Sequence, residues 1–482
     1  MGGVSLPHIS PSAAGVDAAG IRDLVTALNA DPRIEMHSIA IARAGSVVAE
    51  GYWRPYAVDR PHLLYSVSKT WTATAIGVLV AEGHLALDDP VCRLLPGVDL
   101  STLAPRWRTV TVRHCLQMAT GHHTDAWGAD QVAAAGRAAV PGEPDPVVAS
   151  ILAHEPEHEP GTHFAYNQVA TYLAGAAARA VAGTDLVGIL RERVLSPLGV
   201  PDLPWLRTAT GAELSFSGSH ARTRDLLALA QLYLDEGVFA GQRVLPAEWV
   251  EAARAPSGLP NPDGESFDWQ QGYGCSFWQS RHGYRGDGAY GQFALVLPDQ
   301  GLAVATTAET EAMDTVLDLM WEHLLPAVDR RGPEGSDAEL SHLLAGLAVP
   351  APSTTGVAMT GDWTRRSGDL APSYAAARVV PRPRGGHDLT LVRDGAPLSV
   401  TVGESDWVES RWFVDGLELP LVARGGVASD GTFGADIRVI ETAHVVRLRT
   451  DASGGFDLSW RAHPLHGNDP IWLGVPAPAT PV

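Results

Sequence analysis

The chain has 482 residues, 45% of them hydrophobic, and a formal net charge of −20. That length exceeds what one compact core organises and points to two domains. The acidic balance argues against nucleic acid as a partner, because a phosphate-neutralising surface makes a chain basic. Three cysteines, Cys92, Cys115 and Cys275, are odd in number and far apart, which fits reduced core thiols rather than a disulfide framework. No apolar run reaches the roughly 18 uncharged residues of a membrane span. The first 25 residues show no basic stretch followed by an apolar core, so the expected location is cytoplasmic.

In chain order, residues 16–29 carry Ile21, Leu24, Val25 and Leu28 at helical spacing, and Asp31-Pro32 stops the pattern. HSIAIARAG and SVVAEGYW then read as a β-hairpin turning at Ala44-Gly45. A helix follows at about 65–81 (YSVSKTWTATAIGVLVA), and 70–235 is predominantly helical by pattern, most clearly at 171–182 and 223–236. Strand signals return at 273–280, 292–297 and 303–307, and 313–325 closes the first region as a helix. A charged, Pro/Gly-rich stretch at 329–335, a short helix and a second loose stretch to 356 read as a linker. From Gly361 onward, short alternating strands (LTLV, LSVTV, ADIRVI, HVVRLRT) separated by Gly, Asp and Asn turns predict a small barrel or sandwich. The domains expected are therefore 1–330, a linker 331–356, and an all-β domain 357–482.

Ser66-Val67-Ser68-Lys69 carries the chemistry. A serine hydroxyl is a poor nucleophile until a neighbour takes its proton. On a helix, positions i and i+3 share a face with Cβ atoms roughly 5–6 Å apart, so Lys69 reaches Ser66. An ammonium becomes a base when burial penalises its charge and lowers its pKa. Leu63, Leu64, Trp71, Ile76 and Val78 supply apolar surroundings.

The run PHLLYSVSKTWTATAIGVLVAEGHLALDDPV (61–91), followed in order by TVRHCLQMATGH (111–122) and PGTHFAYN (160–167), resembles the serine β-lactamase and penicillin-binding-protein superfamily, in particular its class C β-lactamase and esterase branch. The resemblance implies an α/β sandwich, an antiparallel sheet flanked by helices with a helical insert; separately, Gly361-Asp362-Trp363 at the start of the C-terminal strands is similar to the G-x-W of lipocalin-like barrels, so the smaller all-β domain is expected to be a lipocalin-like barrel. It implies Tyr166 as a proton relay, a phenol made easier to ionise by a nearby ammonium. The amide two residues after that tyrosine is usually Asn; here it is Gln168, with Asn167 between, and either amide is a candidate to orient the lysine or the substrate carbonyl. The third motif of the family, Lys-Thr-Gly or His-Thr-Gly, falls on Gly286-Asp287-Gly288 without its cation, for which Arg285 and His282 are the candidate substitutes. Gly288 would let the backbone approach the acyl group, and the N–H groups of Ser66 and Ala289 would form the oxyanion hole.

These residues lead to the expectation of a serine acyl hydrolase working on a small-molecule or peptide ester or amide, with no metal or organic cofactor required. Two alternatives stand beside it. One is a biosynthetic acyltransferase or peptide-cyclising thioesterase with an amine acceptor, the activity of some relatives with a similar tail; the other is a catalytically silent binding protein of the same fold. His154-Glu155-Pro156-Glu157-His158 satisfies the H-E-x-x-H zinc pattern on paper, but the central Pro breaks the helical turn that pattern needs, by about 3 kcal/mol or more. Arg285-Gly286-Asp287 reads as a turn rather than an adhesion tripeptide.

Overall fold

The hairpin is formed by β1 (Glu35–Arg43) and β2 (Ser46–Tyr52). Its turn uses Ala44 and Gly45, both with positive φ (50° and 72°), the left-handed pair that matches strand twist in a two-residue loop. In this computed structural model, which describes residues 5–125, 145–261, 264 and 266–476, the chain forms two units: Met1–Tyr52 with Leu63–Leu347, and Trp53–His62 with Ala348–Val482.

The sheet of the first unit is completed by β3 (Trp278–Gln279), β4 (Tyr284–Gly288), β5 (Gln292–Leu297) and β6 (Leu302–Glu309), in the order β2-β1-β6-β5-β4-β3 with every pair antiparallel. β5 and β6 are buried along their whole length, which explains their continuous apolar runs. The strand expected over 273–280 survives only as β3. Gly272 (φ 111°) and Ser276 (φ 63°) turn the backbone left-handed and end the extended path.

Among the described residues, five long helices surround this sheet or build the insert. α1 (Ala18–Ala30) is capped by Asp17, whose side chain accepts from the Ala19 N–H, and buries Ile21, Leu24, Val25 and Leu28. α2 (Val67–Ala81) is buried at nearly every position, as a helix apolar on all sides must be. α3 (Gln168–Ala182) ends at Gly183 (φ 65°), and α4 (Thr223–Leu234) packs on β1, β5 and β6. α5 (Ser336–Ala345) lies where the sequence read a linker, yet belongs to the first unit: Leu344 and Leu347 sit over Gly51 of β2 so closely that a Cβ there would meet each at 2.8 Å. The part of the helical region between 126 and 144 lies outside the described residues. All three cysteines are buried and free, and no single described helix is long and apolar enough to cross a membrane.

In the second unit, strands β7 (Gly361–Ser367), β8 (Tyr374–Pro381), β9 (His387–Arg393), β10 (Ala396–Gly403), β11 (Val408–Val414), β12 (Leu417–Val427), β13 (Phe433–Val439), β14 (Val445–Thr450) and β15 (Gly455–Trp460) form one sheet. It closes on itself. β7 pairs in parallel with β15 and β10 in parallel with β12, leaving an eight-strand ring from which β11 projects as a hairpin on β12. Closure removes the sheet edges, and alternate residues such as Val379, Leu389, Leu391, Val400, Leu419 and Ile437 are buried. The Trp363 ring of the G-x-W lies against Gly361, where a Cβ would meet it at 2.3 Å.

Candidate active site

Ser66 stands at the N-cap of α2, half-buried, immediately after Tyr65, a buried non-glycine residue at φ 47°. Left-handed backbone at such a residue costs on the order of 1–3 kcal/mol and persists only where surrounding packing enforces it. Here the start of the helix is clamped from residues 215–219. The Ser219 carbonyl accepts from the Leu64 N–H at 2.8 Å, the Ser219 N–H donates to Ser68 Oγ at 2.9 Å, and Thr72 Oγ1 donates to the Ser215 carbonyl at 2.8 Å.

Lys69 is 1% exposed, and its Nζ has three partners: Ser66 Oγ at 3.0 Å, Gln168 Oε1 at 2.7 Å and the Phe216 carbonyl at 3.0 Å. Burial pulls its pKa down to about 7, against the opposing pull of the Asp125 and Asp287 carboxylates. The partner set has a directional consequence. Two of the three are carbonyl oxygens, which only accept; a neutral amine has two N–H bonds to give them, so its lone pair is left facing the Ser66 hydroxyl.

The Tyr166 side chain lies close enough to Ser66 to interact with it, and its ring lies beneath Lys69 with Nζ 4.8 Å from the centroid. Trp278 stacks on it at 5.3 Å and Tyr273 packs on its edge at 5.9 Å. Burial pushes the Tyr166 phenol well above its usual range, and the interaction with Ser66 only partly offsets this. The expectation of an easily ionised phenol is thus not met: burial, with the Asp287 and Asp125 carboxylates beside it, keeps the proton on Tyr166.

The two amides separate cleanly. Asn167 is fully buried and caps α3, its Oδ1 accepting from the Ala170 N–H at 2.8 Å and its Nδ2 donating to the Ala165 carbonyl at 2.7 Å. Gln168 is the one that holds the lysine. It is anchored in turn by Asp125, whose carboxylate accepts from the Gln168 backbone N–H at 3.2 Å and from Nε2 at 3.4 Å. Asp125 and Phe216 were not singled out in the sequence, since neither belongs to a motif whose spacing points at Lys69.

β4 brings Gly286-Asp287-Gly288 alongside the start of α2. A Cβ on Gly286 would meet Thr70 Oγ1 at 2.8 Å, and one on Gly288 would meet the Leu64 carbonyl oxygen at 2.1 Å. The close approach at Gly288 is therefore to the backbone leading into Ser66. Among the described residues no hydrogen bond takes the N–H of Ser66 or Ala289, which leaves both as candidate oxyanion donors. Arg285 does not project as a cation. It is fully buried, its Nε pairs with Asp287 Oδ2 at 2.8 Å, Nη1 donates to the Asp268 and Gln279 carbonyls, and the guanidinium lies 4.4 Å over the Trp269 ring. His282 packs its ring edge-on against Trp321 at 5.2 Å. The slot thus holds a paired Asp–Arg couple in place of a free positive charge.

A family model for beta-lactamase matches residues 21–327. A 6-aminohexanoate-dimer hydrolase of Paenarthrobacter ureafaciens is 27% identical over 221 residues, 45% of this chain and 56% of that one, so the match spans little more than half of that relative. Among solved structures, the octameric penicillin-binding protein homologue from Pyrococcus abyssi superposes with a TM-score of 0.50 at 16% identity, over 87% of this chain and 98% of its own. A Bacillus anthracis protein provisionally named 6-aminohexanoate-dimer hydrolase gives 0.52 at 17% identity, over 72% and 89%; both likenesses speak to fold alone. With the family model covering well over half of the sequence, the chain belongs to the beta-lactamase family.

Proposed function

We propose that this protein is a serine acyl hydrolase that cleaves an ester or amide through an acyl-enzyme on Ser66. Lys69 Nζ takes the Ser66 proton as Oγ bonds to the acyl carbon. The neutral Tyr166 phenol hands a proton to the leaving nitrogen or oxygen and regains one from the Lys69 ammonium, and water then releases the acid. The N–H groups of Ser66 and Ala289 receive the developing oxyanion; losing one such donor typically costs about 10²–10³ in rate.

The observation that carries this reading is the buried Lys69 amine, 3.0 Å from Ser66 Oγ and depressed to about 7, with its other partners restricted to acceptors. The paired Asp287–Arg285 couple in the third-motif slot removes the cation that would hold a substrate carboxylate there, which favours a group that is uncharged at that end. The sequence likeness to a 6-aminohexanoate-dimer hydrolase supports amides beside esters. Intact-protein mass spectrometry after exposure to a fluorophosphonate or an activated p-nitrophenyl ester tests the proposal. One adduct is expected on the unaltered chain and none on Ser66→Ala; an adduct on Ser66→Ala ends the assignment.

A further inference from the structure

The loops that lead to the catalytic candidates carry a second cluster. His123, two residues before Asp125, meets His158 and His163, the latter three residues before Tyr166. One ring nitrogen from each lies within 4.8 Å of the others. His123 Nδ1 and His158 Nε2 are 3.2 Å apart, and the His158 and His163 rings stack with centroids at 4.3 Å. We propose that these three imidazoles bind a divalent transition-metal ion of the zinc class.

The distances fit such an ion. At a metal–nitrogen bond of about 2.0–2.1 Å, two nitrogens of a tetrahedral site stand about 3.3–3.4 Å apart. The His123–His158 pair is already at that separation, and the widest gap closes with side-chain rotation of roughly 1.5 Å, measured against that same tetrahedral edge. Three neutral imidazoles with a fourth position open suit zinc, copper, nickel and cobalt, whereas magnesium and calcium prefer oxygen.

The frame is rigid. The His158 N–H donates to the Gly121 carbonyl at 2.8 Å, the Gly161 N–H to the Ala119 carbonyl at 2.8 Å, and the His123 N–H to Glu157 Oε2 at 3.0 Å, so the two loops are tied on both sides of the cluster. Gly121, at φ 94°, permits this: a Cβ there would meet the His158 carbonyl oxygen at 2.3 Å. His163 Nε2 lies 3.1 Å from the His123 carbonyl oxygen, the kind of backbone acceptor that fixes the tautomer and orientation of a metal-binding imidazole. The neighbouring histidines point elsewhere. His122 is buried, bonded to Thr120 and packed on Trp107, and His154 sits beyond the end of its helix at Leu152 with its ring on the Ser150 carbonyl. The H-E-x-x-H spacing thus named one of the three residues but paired it with the wrong partner.

The test uses the full chain stripped with EDTA and passed over a desalting column. Equilibrium dialysis against Zn²⁺ should leave one ion per chain. Co²⁺ should give visible d–d bands that Zn²⁺ abolishes, and Zn²⁺ should raise the melting temperature, because an ion bound only by the native state stabilises it. His158→Gln and His163→Gln should each lose the bound ion with circular dichroism unchanged, and His154→Gln should keep it. No Co²⁺ band in the unaltered chain, or zinc retained by the His158→Gln/His163→Gln double variant, overturns the proposal. Neither result bears on acylation of Ser66, which the adduct experiment reads separately.

Discussion

The pH dependence of acylation gives the strictest check on Lys69 as base. With its pKa at about 7, the neutral fraction rises from about 0.1 at pH 6 to about 0.9 at pH 8, so the single-turnover acylation rate should climb roughly tenfold over that interval and then level off. A lysine at its usual 10.5 would be only about 0.3% neutral at pH 8, so burial is worth roughly 300-fold in available base there. Stopped-flow release of p-nitrophenol under single-turnover conditions, corrected for spontaneous hydrolysis, measures the curve. Asp125→Asn sharpens the test: the Asp125 charge holds the Lys69 pKa up, so its removal should move the midpoint to lower pH while the amide still accepts from Gln168. Stability follows the same shift with a determined sign. Between about 7 and 10.5 the unfolded chain holds a proton on this lysine that the folded chain has lost, so folding should strengthen as pH rises, by up to about 1.4 kcal/mol per unit, relative to Lys69→Met. A rate still rising tenfold per unit above pH 9, or one flat from pH 5 to 9, would refute the assignment of Lys69 as the base.

Three further outcomes separate structural from chemical roles. Gly288→Ala should lower the melting temperature and slow adduct formation together, because its Cβ meets backbone at 2.1 Å and overpacking of this kind costs about 1–3 kcal/mol. Asn167→Ala should cost about 1 kcal/mol in urea unfolding through the lost cap with little change in the acylation midpoint; Gln168→Met should instead slow acylation strongly, since it removes one of the two carbonyl acceptors that aim the lysine amine and leaves only that of Phe216. Arg285→Met should destabilise by about 3–5 kcal/mol by stranding Asp287, and Arg285→Met/Asp287→Leu should recover most of that loss; no recovery in the double variant would mean the pair is not what the arginine supports.

What the chain's letters disclose divides along a physical line. The Ser66–Lys69 pairing was legible because helical periodicity alone brings i and i+3 together, and the hairpin because Ala44-Gly45 interrupts two alternating runs. The barrel was legible as strands, but its closure was not, because β7–β15 and β10–β12 are parallel pairings between segments distant in sequence. Residues whose roles depend on such long-range approach stayed hidden. Asp125 reaches Gln168 across 43 positions and the Phe216 carbonyl reaches Lys69 across 147, and neither leaves a periodic trace. The same limit explains Arg285: read along the strand it is a cation near the site, yet alternation along β4 sets Gly286 and Gly288 toward α2 and leaves Arg285 and Asp287 on the other face, paired with each other. A charge counted from sequence is therefore not a charge available to substrate, and the stretch from Arg285 to Gly288 carries a neutralised couple rather than a free cation.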